Sequence, residues 1–360
     1  MTQRSRSRTL PLIPRAVGLL CFALPVVSLA ILPATVRADV FQLSPDESNA
    51  LFDKAKAAVV QVRSGDKGLI SGGTGFFIDD QGTVLTSSSI IGDNTTARVV
   101  INGVEVDAKI LGNDARSGLA MLQVPYAASP ALPLARSSGL QSGDGVMVIG
   151  YPLNLPVAPS QGPVSGFDAS YLEKPEAGAS VAKVERFATT HIHANLAISP
   201  GEVGSPMLNS HGEVVGIVAT SPDDGRSVYA LPIEAMAKIM ADFTQYGAAR
   251  YGWVGIDVME QPDSAHDGRT VRVVRTVEGT PASESGIKPG DTVMRIDSRE
   301  IYRPADVLDA SFFSQVGATM NVVIRRDDKL FNYPFAVIAR PGSAPTAAPI
   351  PNHIADSPTH

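Results

Sequence analysis

The chain has 360 residues, enough for two or three domains with separate cores. Its formal net charge is −6 and no basic stripe runs along it, which argues against nucleic acid as the partner. A single cysteine, Cys21, excludes an intrachain disulfide framework, while 32 glycines and 27 prolines suit a β-rich protein with many turns.

The first residues read as an export signal. Arg4, Arg6, Arg8 and Arg15 precede an apolar run over residues 16–32 that Pro25 interrupts. Val36-Arg37-Ala38 then sets small residues one and three positions before a cut at Asp39. The expectation is a signal peptide over 1–38 and export to a bacterial periplasm or cell envelope. The alternative is a retained N-terminal membrane anchor, for which the run is short. Cys21 follows Leu19-Leu20, which does not make a lipobox, so the exported chain would hold no cysteine and no cysteine metal site.

Ser44-Pro45-Asp46-Glu47 starts a helix with Leu51, Phe52 and Ala55 on one face. Short strands follow from Val59 onward, with Thr83-Val84-Leu85-Thr86 among them. Further strands are expected over residues 97–101, 104–111, 120–124 and 145–149. Turn residues separate them at the spacing of a sandwich or barrel. Between an apolar run at 192–198 and a strand at 214–220 lies Ser199-Pro200-Gly201-Glu202-Val203-Gly204-Ser205-Pro206. A tight Gly/Pro turn there can point backbone N–H groups outward, as an oxyanion hole requires. A helix is expected over about 234–246. Beyond it come strands at 270–277, 293–297, 321–325 and 330–337, with a helix at about 304–313. From residue 340 the chain is rich in Pro, Ala and Ser without periodicity, which predicts a disordered tail.

Several motifs in order carry a resemblance. They are Gly73-Thr74-Gly75-Phe76-Phe77-Ile78, Gly82-Thr83-Val84-Leu85-Thr86, and Asn113-Asp114 with Leu119-Ala120-Met121-Leu122. Val148-Ile149-Gly150-Tyr151-Pro152, the 199–206 turn and Tyr229-Ala230-Leu231-Pro232-Ile233 continue the series. Together with Tyr251-Gly252-Trp253-Val254-Gly255-Ile256 and Gly286-Ile287-Lys288-Pro289-Gly290-Asp291, they resemble the HtrA/Deg family, secreted trypsin-like serine proteases carrying a PDZ domain. The resemblance implies a mainly β chain: a trypsin-like double β-barrel over 39–248, one HtrA-type PDZ domain over 249–339, and a tail over 340–360. It implies no cofactor.

The family's catalytic positions carry other residues here. The strand that leads to the family's histidine continues as Ser87-Ser88-Ser89, which puts Ser89 in the histidine position. Gly118 takes the aspartate position and Val203 the nucleophile position. All six histidines lie at 191 or later, so no register shift supplies one to the first barrel. Ser205 and Asp114 are displaced from the nucleophile and aspartate positions. A dyad of serine with Lys109 or Lys183 stays open on sequence. Gly201, Glu202 and Val203 are the oxyanion-hole-like residues, and Glu202 adds negative charge there unless its carboxylate points to solvent.

In the PDZ segment the resemblance assigns a carboxylate-binding loop to Trp253, Val254, Gly255 and Ile256. The strand after it would pair with a peptide, and apolar residues including Val307 and Leu308 would set its side-chain preference. The alternative for each of these residues is a core role. His191 and His193 share a strand face and could hold a metal, but no third ligand is identifiable, so no metal is expected. Asp223-Asp224-Gly225 reads as a turn rather than a calcium loop. The expected function is a proteolytically inactive binder of peptides, C-termini or unfolded segments, acting as regulator, scaffold or chaperone in envelope protein quality control. A homo-trimer or an assembly with an active relative is expected from the family. The alternative is an active serine endopeptidase with a rearranged site.

Overall fold

The computed structural model describes residues 44–65, 71–125, 130–173, 183–223, 225–263 and 268–341. The expected signal peptide, the tail beyond Pro341 and much of the 168–183 loop lie outside the described residues.

Helix α1 (Pro45–Ala55) starts as the sequence predicts. Ser44 accepts the Glu47 N–H at 3.3 Å, and the Glu47 carboxylate accepts the Ser44 N–H at 2.9 Å. Two orphan donors are thus satisfied reciprocally. The first barrel comprises β1 (Val59–Ser64), β2 (Ser71–Phe77), β3 (Thr83–Ser87), β4 (Ala97–Ile101), β5 (Val104–Asp114) and β6 (Leu119–Gln123). Its short helix α2 (Ser88–Ile91) follows β3. The second barrel comprises β7 (Gly145–Gly150), β8 (Ala158–Glu173), β9 (Lys183–Ala194), β10 (Pro206–Leu208), β11 (Val214–Thr220) and β12 (Val228–Pro232). Both close, in the orders β1-β2-β3-β6-β5-β4 and β10-β11-β12-β9-β8-β7, so neither leaves an unpaired edge.

Each barrel is filled from its own strands. Val62, Val84, Val99 and Leu122 pack inside the first; Val148, Ile192, Met207 and Val218 pack inside the second. A third cluster joins the barrels: Phe76, Leu85 and Leu119 meet Met147, Ile149 and Ile217. Helix α3 (Ile233–Tyr246) adds Ile239 and Phe243 to that cluster. Each such side chain, fully buried, contributes about 1.5–3 kcal/mol. The two barrels therefore share one core where they meet.

The PDZ domain follows α3. It contains β13 (Gly252–Trp253), β14 (Ile256–Asp263), β15 (Gly268–Thr276), α4 (Pro281–Ser285), β16 (Thr292–Ile296) and β17 (Arg299–Glu300). Then come α5 (Pro304–Phe313), β18 (Thr319–Arg326), β19 (Lys329–Ala336) and β20 (Ile338–Ala339). The main sheet runs β14-β15-β16-β18-β19, which leaves β14 at its edge. Strand β13 pairs with β20 alone. The expected strands and helices recur with ends moved by a few residues. The sequence reading missed the length of the β8–β9 hairpin, whose polar and glycine residues hide its alternation. Among the described residues no helix is long and apolar enough to cross a membrane.

Candidate functional site: the inter-barrel cleft and the PDZ edge

The 199–206 turn is held from both barrels. Gly204 donates to the Val218 carbonyl at 2.9 Å, and Val218 donates to Ser205 at 2.9 Å. From the first barrel, Thr74 donates its N–H to the Val203 carbonyl at 3.1 Å and its hydroxyl to the Gly201 carbonyl at 2.7 Å. Gly201 and Gly204 adopt φ of 99° and 86°. A Cβ on Gly201 would lie 2.4 Å from the Tyr151 carbonyl oxygen, and one on Gly204 2.2 Å from that of Thr74. Both glycines are required by conformation and by space.

The segments of the three positions singled out in sequence meet at this turn. Ser89 lies in α2 with its side chain exposed; its hydroxyl is 2.9 Å from that of Ser87. The Ser88 N–H donates to the Gly118 carbonyl at 2.9 Å, which joins α2 to the loop before β6. A Cβ on Gly118 would meet only the Ala219 Cβ, at 3.8 Å, and one on Gly204 would approach the Ser87 nitrogen to 2.9 Å. The segments that carry Ser89 and Gly118 are thus joined to each other, and Ser87 lies against Gly204 of the turn that carries Val203. The displaced candidates are engaged elsewhere. Ser205 is fully buried. Asp114 accepts the Ser117 N–H at 2.8 Å and the Tyr251 hydroxyl. Lys109 is exposed on β5, and the Lys183 side chain lies outside the described residues.

Glu202 does not point to solvent, nor does its carboxylate line the open cleft. The residue is 2% exposed, and its Oε2 accepts the Ser199 N–H at 2.6 Å. Burial, offset in part by this bond, pushes its carboxyl above the usual range. The Glu202 N–H donates to the Ser199 carbonyl at 3.2 Å. Of the oxyanion-hole-like residues, this one therefore has its N–H engaged inside the turn.

His191 and His193 separate in environment. His191 is buried, stacks on Phe187 at 3.8 Å, and its Nδ1 lies 2.9 Å from the Thr189 carbonyl. Burial, partly offset by that bond, holds its imidazole down at about 4. His193 pairs through Nδ1 with Asp168 at 3.1 Å and stacks on Tyr229 at 4.4 Å. Asp223 accepts N–H groups of Arg226 and Ser227, as a turn residue does.

In the PDZ domain Gly255 has φ of 79°, and a Cβ there would lie 2.2 Å from the Thr280 hydroxyl. The Val254 carbonyl accepts from Ala282 at 3.1 Å and the Gly255 carbonyl from Val277 at 2.8 Å. The loop is thereby fixed beside the edge strand β14. The side chains of Val254, Ile256 and Val307 pack in the PDZ core, while Trp253 and Leu308 are half-buried. Sequence reading missed the junction between domains. Asp309 on α5 accepts the Thr189 hydroxyl at 2.7 Å, the Thr190 N–H at 2.8 Å and the Thr190 hydroxyl at 2.9 Å. Arg303 donates to the Phe167 carbonyl at 3.1 Å. A buried acid on an otherwise apolar helix face was the one available signal.

Comparison with known proteins agrees with this architecture. Residues 73–217 match the trypsin-like peptidase domain model and residues 252–333 the PDZ domain model. HhoB of Synechocystis sp., which bears a serine protease name, is 26% identical over 289 residues, covering 76% of this chain and 67% of its own. A DegP-like periplasmic serine endoprotease of Hahella chejuensis is 29% identical over 280 residues, covering 74% of this chain and 57% of its own. The chain thus spans little more than half of the latter relative. Among solved structures, the HtrA-type protease AlgW with a tripeptide superposes with a TM-score of 0.68 at 22% identity, covering 82% of this chain and 98% of that one. The serine endoprotease of Yersinia pestis gives 0.60 at 21%, covering 83% and 100%. The chain is a trypsin-like peptidase domain joined to a PDZ domain, and its homologues are HtrA/DegP-type serine proteases.

Proposed function

We propose that this chain is a proteolytically inactive HtrA/Deg-like protein that holds peptide or unfolded segments without cutting them. What supports this reading is that the segments carrying Ser89, Gly118 and Val203 adjoin one another, through the Ser88–Gly118 hydrogen bond and the approach of Ser87 to Gly204, while none of the three side chains has the chemistry of a triad. A trypsin-like mechanism needs a nucleophile, a base and a carboxylate at those places. A serine hydroxyl bonded to another serine hydroxyl cannot take a proton near neutral pH. Losing the triad costs on the order of 10⁶ in kcat. Val203 makes the cleft more apolar, which suits retention of a chain.

The edge strand β14 offers the second binding element. An extended peptide can add to its free side while the Trp253–Ile256 loop captures a terminal carboxylate. Export to the envelope, removal of residues 1–38, domain limits at 248 and 339, and a trimer or an assembly with an active relative complete the proposal. Regulator, scaffold and chaperone are the roles it accommodates.

The test is binding without turnover. A fluorescent unfolded substrate should gain anisotropy with the purified exported chain and stay intact. Gly255→Val should remove PDZ-dependent binding. The competing reading, an active endopeptidase with a rearranged site, draws on the serine protease names of the homologues. Stoichiometric labelling by a fluorophosphonate would establish that reading and sink ours.

A further inference from the structure

The turn that faces the cleft holds two buried polar atoms with no partner among the described residues, Glu202 Oε1 and Ser205 Oγ. Both residues pack on Gly150. A Cβ built there would lie 2.3 Å from Ser205 Oγ and 3.0 Å from Glu202 Cγ. The Ser205 N–H also donates to the Glu202 carbonyl at 3.1 Å. An unpartnered buried donor or acceptor costs about 1–3 kcal/mol, and a buried charge costs more. So tight a site on both sides calls for an account.

We propose that the Glu202 carboxyl is a proton-operated latch on the Ser199–Ser205 turn, closed when neutral and released when ionised. In the closed state Oε2 accepts the Ser199 N–H, as observed. A proton on Oε1, which has no donor of its own among the described residues, removes the charge from a carboxyl that is otherwise held by one N–H. Ionisation leaves a buried anion held by a single N–H. The charge is relieved by swinging the carboxylate outward, which releases Ser199 and loosens the turn that carries Gly201 and Val203. No charged group opposes or assists this: Ser199, Gly150 and Ser205, the residues placed against the carboxyl, are neutral. Tyr151, next to Gly150 in the chain, has its phenol raised by burial and directed to the Val59 carbonyl at 3.2 Å, so it stays protonated. The upward displacement of the Glu202 carboxyl by burial agrees with this geometry.

The sign follows. With its folded value raised, native Glu202 keeps its proton where the unfolded chain has lost it. Its stabilising contribution is complete below the ordinary glutamate range and is lost as pH rises through the folded value. Peptide binding is not needed for this inference, which would stand if the proposed function failed.

The decisive measurement is a carbon-13 titration of the glutamate carboxyls in the whole exported chain, with Glu202→Gln used to assign the resonance. Glu202 is expected to titrate above the exposed glutamates, because burial disfavours its charged form. Amide exchange at Ser199, corrected for intrinsic pH dependence, should rise across the same window. Glu202→Gln, neutral at every pH, should lose that rise. Titration together with the exposed glutamates would overturn the latch, as would an unchanged exchange profile in the variant. If Glu202→Gln does not fold, Glu202→Asp identifies the resonance and the titration of the natural chain still decides.

Discussion

Thr74 in β2 and Gly201 in the turn before β10 are joined across the two barrels by a 2.7 Å hydrogen bond from hydroxyl to carbonyl. The same hydroxyl accepts the Tyr151 N–H at 3.0 Å, and Thr74 is fully buried. One side chain thus sets the position of the cleft wall and of the loop behind it. Thr74→Val keeps the shape and strands both partners. It should lower the unfolding free energy by about 2 kcal/mol, within the range for leaving buried polar groups unsatisfied. Urea unfolding measures this. A loss below about 0.5 kcal/mol, the level of an ordinary surface change, would show that the clamp is dispensable.

Repair of the catalytic positions meets unequal resistance. Ser89 is exposed in α2, so Ser89→His should be nearly neutral for stability. Gly118 has φ of 78°, a left-handed conformation that costs a side-chain-bearing residue roughly 1–2 kcal/mol. Space is not the obstacle, since a Cβ meets only Ala219 at 3.8 Å. Gly118→Asp should therefore destabilise by about 1 kcal/mol and place its carboxylate poorly. Casein degradation by the natural chain, beside the triple variant with Ser89→His, Gly118→Asp and Val203→Ser, measures the consequence. The natural chain should show no cleavage and the triple variant a slow gain. Cleavage by the natural chain, surviving a contaminant check, would overturn the inactive reading.

These two cases show what the sequence made legible. Strand alternation and turn residues were enough to expect a sandwich or barrel, because burial of one strand face every second residue leaves a direct pattern; the two barrels and the PDZ domain were expected from the resemblance of the motifs. Ser89, Gly118 and Val203 were singled out through flanking motifs. The φ of Gly118 was not legible, since a glycine letter is silent on which conformation it adopts. Nor was the inward turn of Glu202, since the sequence left open whether its carboxylate points to the turn or to solvent.

His191 provides a pH dependence of opposite sign to that of Glu202. Its folded value is about 4, depressed by burial, against an unfolded value near 6.5. Between these values the unfolded chain binds the proton and the native chain does not, so stability falls as pH drops from about 6.5 toward 4. The contribution is on the order of 3 kcal/mol when complete. His191→Phe keeps the stack on Phe187 and cannot charge. Its thermal midpoint should fall less than that of the natural chain over this interval. Parallel curves for the two proteins would assign the acid sensitivity to other groups.

Asp309 tests whether the PDZ domain is fastened to the second barrel by the polar junction or only by packing around it. The carboxylate is 7% exposed and accepts three hydrogen bonds from Thr189 and Thr190. Arg299 stands 3.8 Å away, itself largely in solvent, so it adds little. Asp309→Ala removes the acceptor and leaves the Thr190 N–H and both hydroxyls facing an apolar methyl. Hydrogen bonds to a charged acceptor contribute about 1.5–3 kcal/mol, which sets the expected loss at about 3 kcal/mol. The distribution of that loss discriminates the two accounts. If the junction fastens the domain, amide exchange should quicken first in α5 and in the middle of β9, while the first barrel keeps its protection. A double-mutant cycle with Thr190→Val should recover most of the coupling, since the two sites share these bonds. Additive losses, with exchange unchanged in β9, would mean that Phe312 and its neighbours in the shared core hold the domain by themselves.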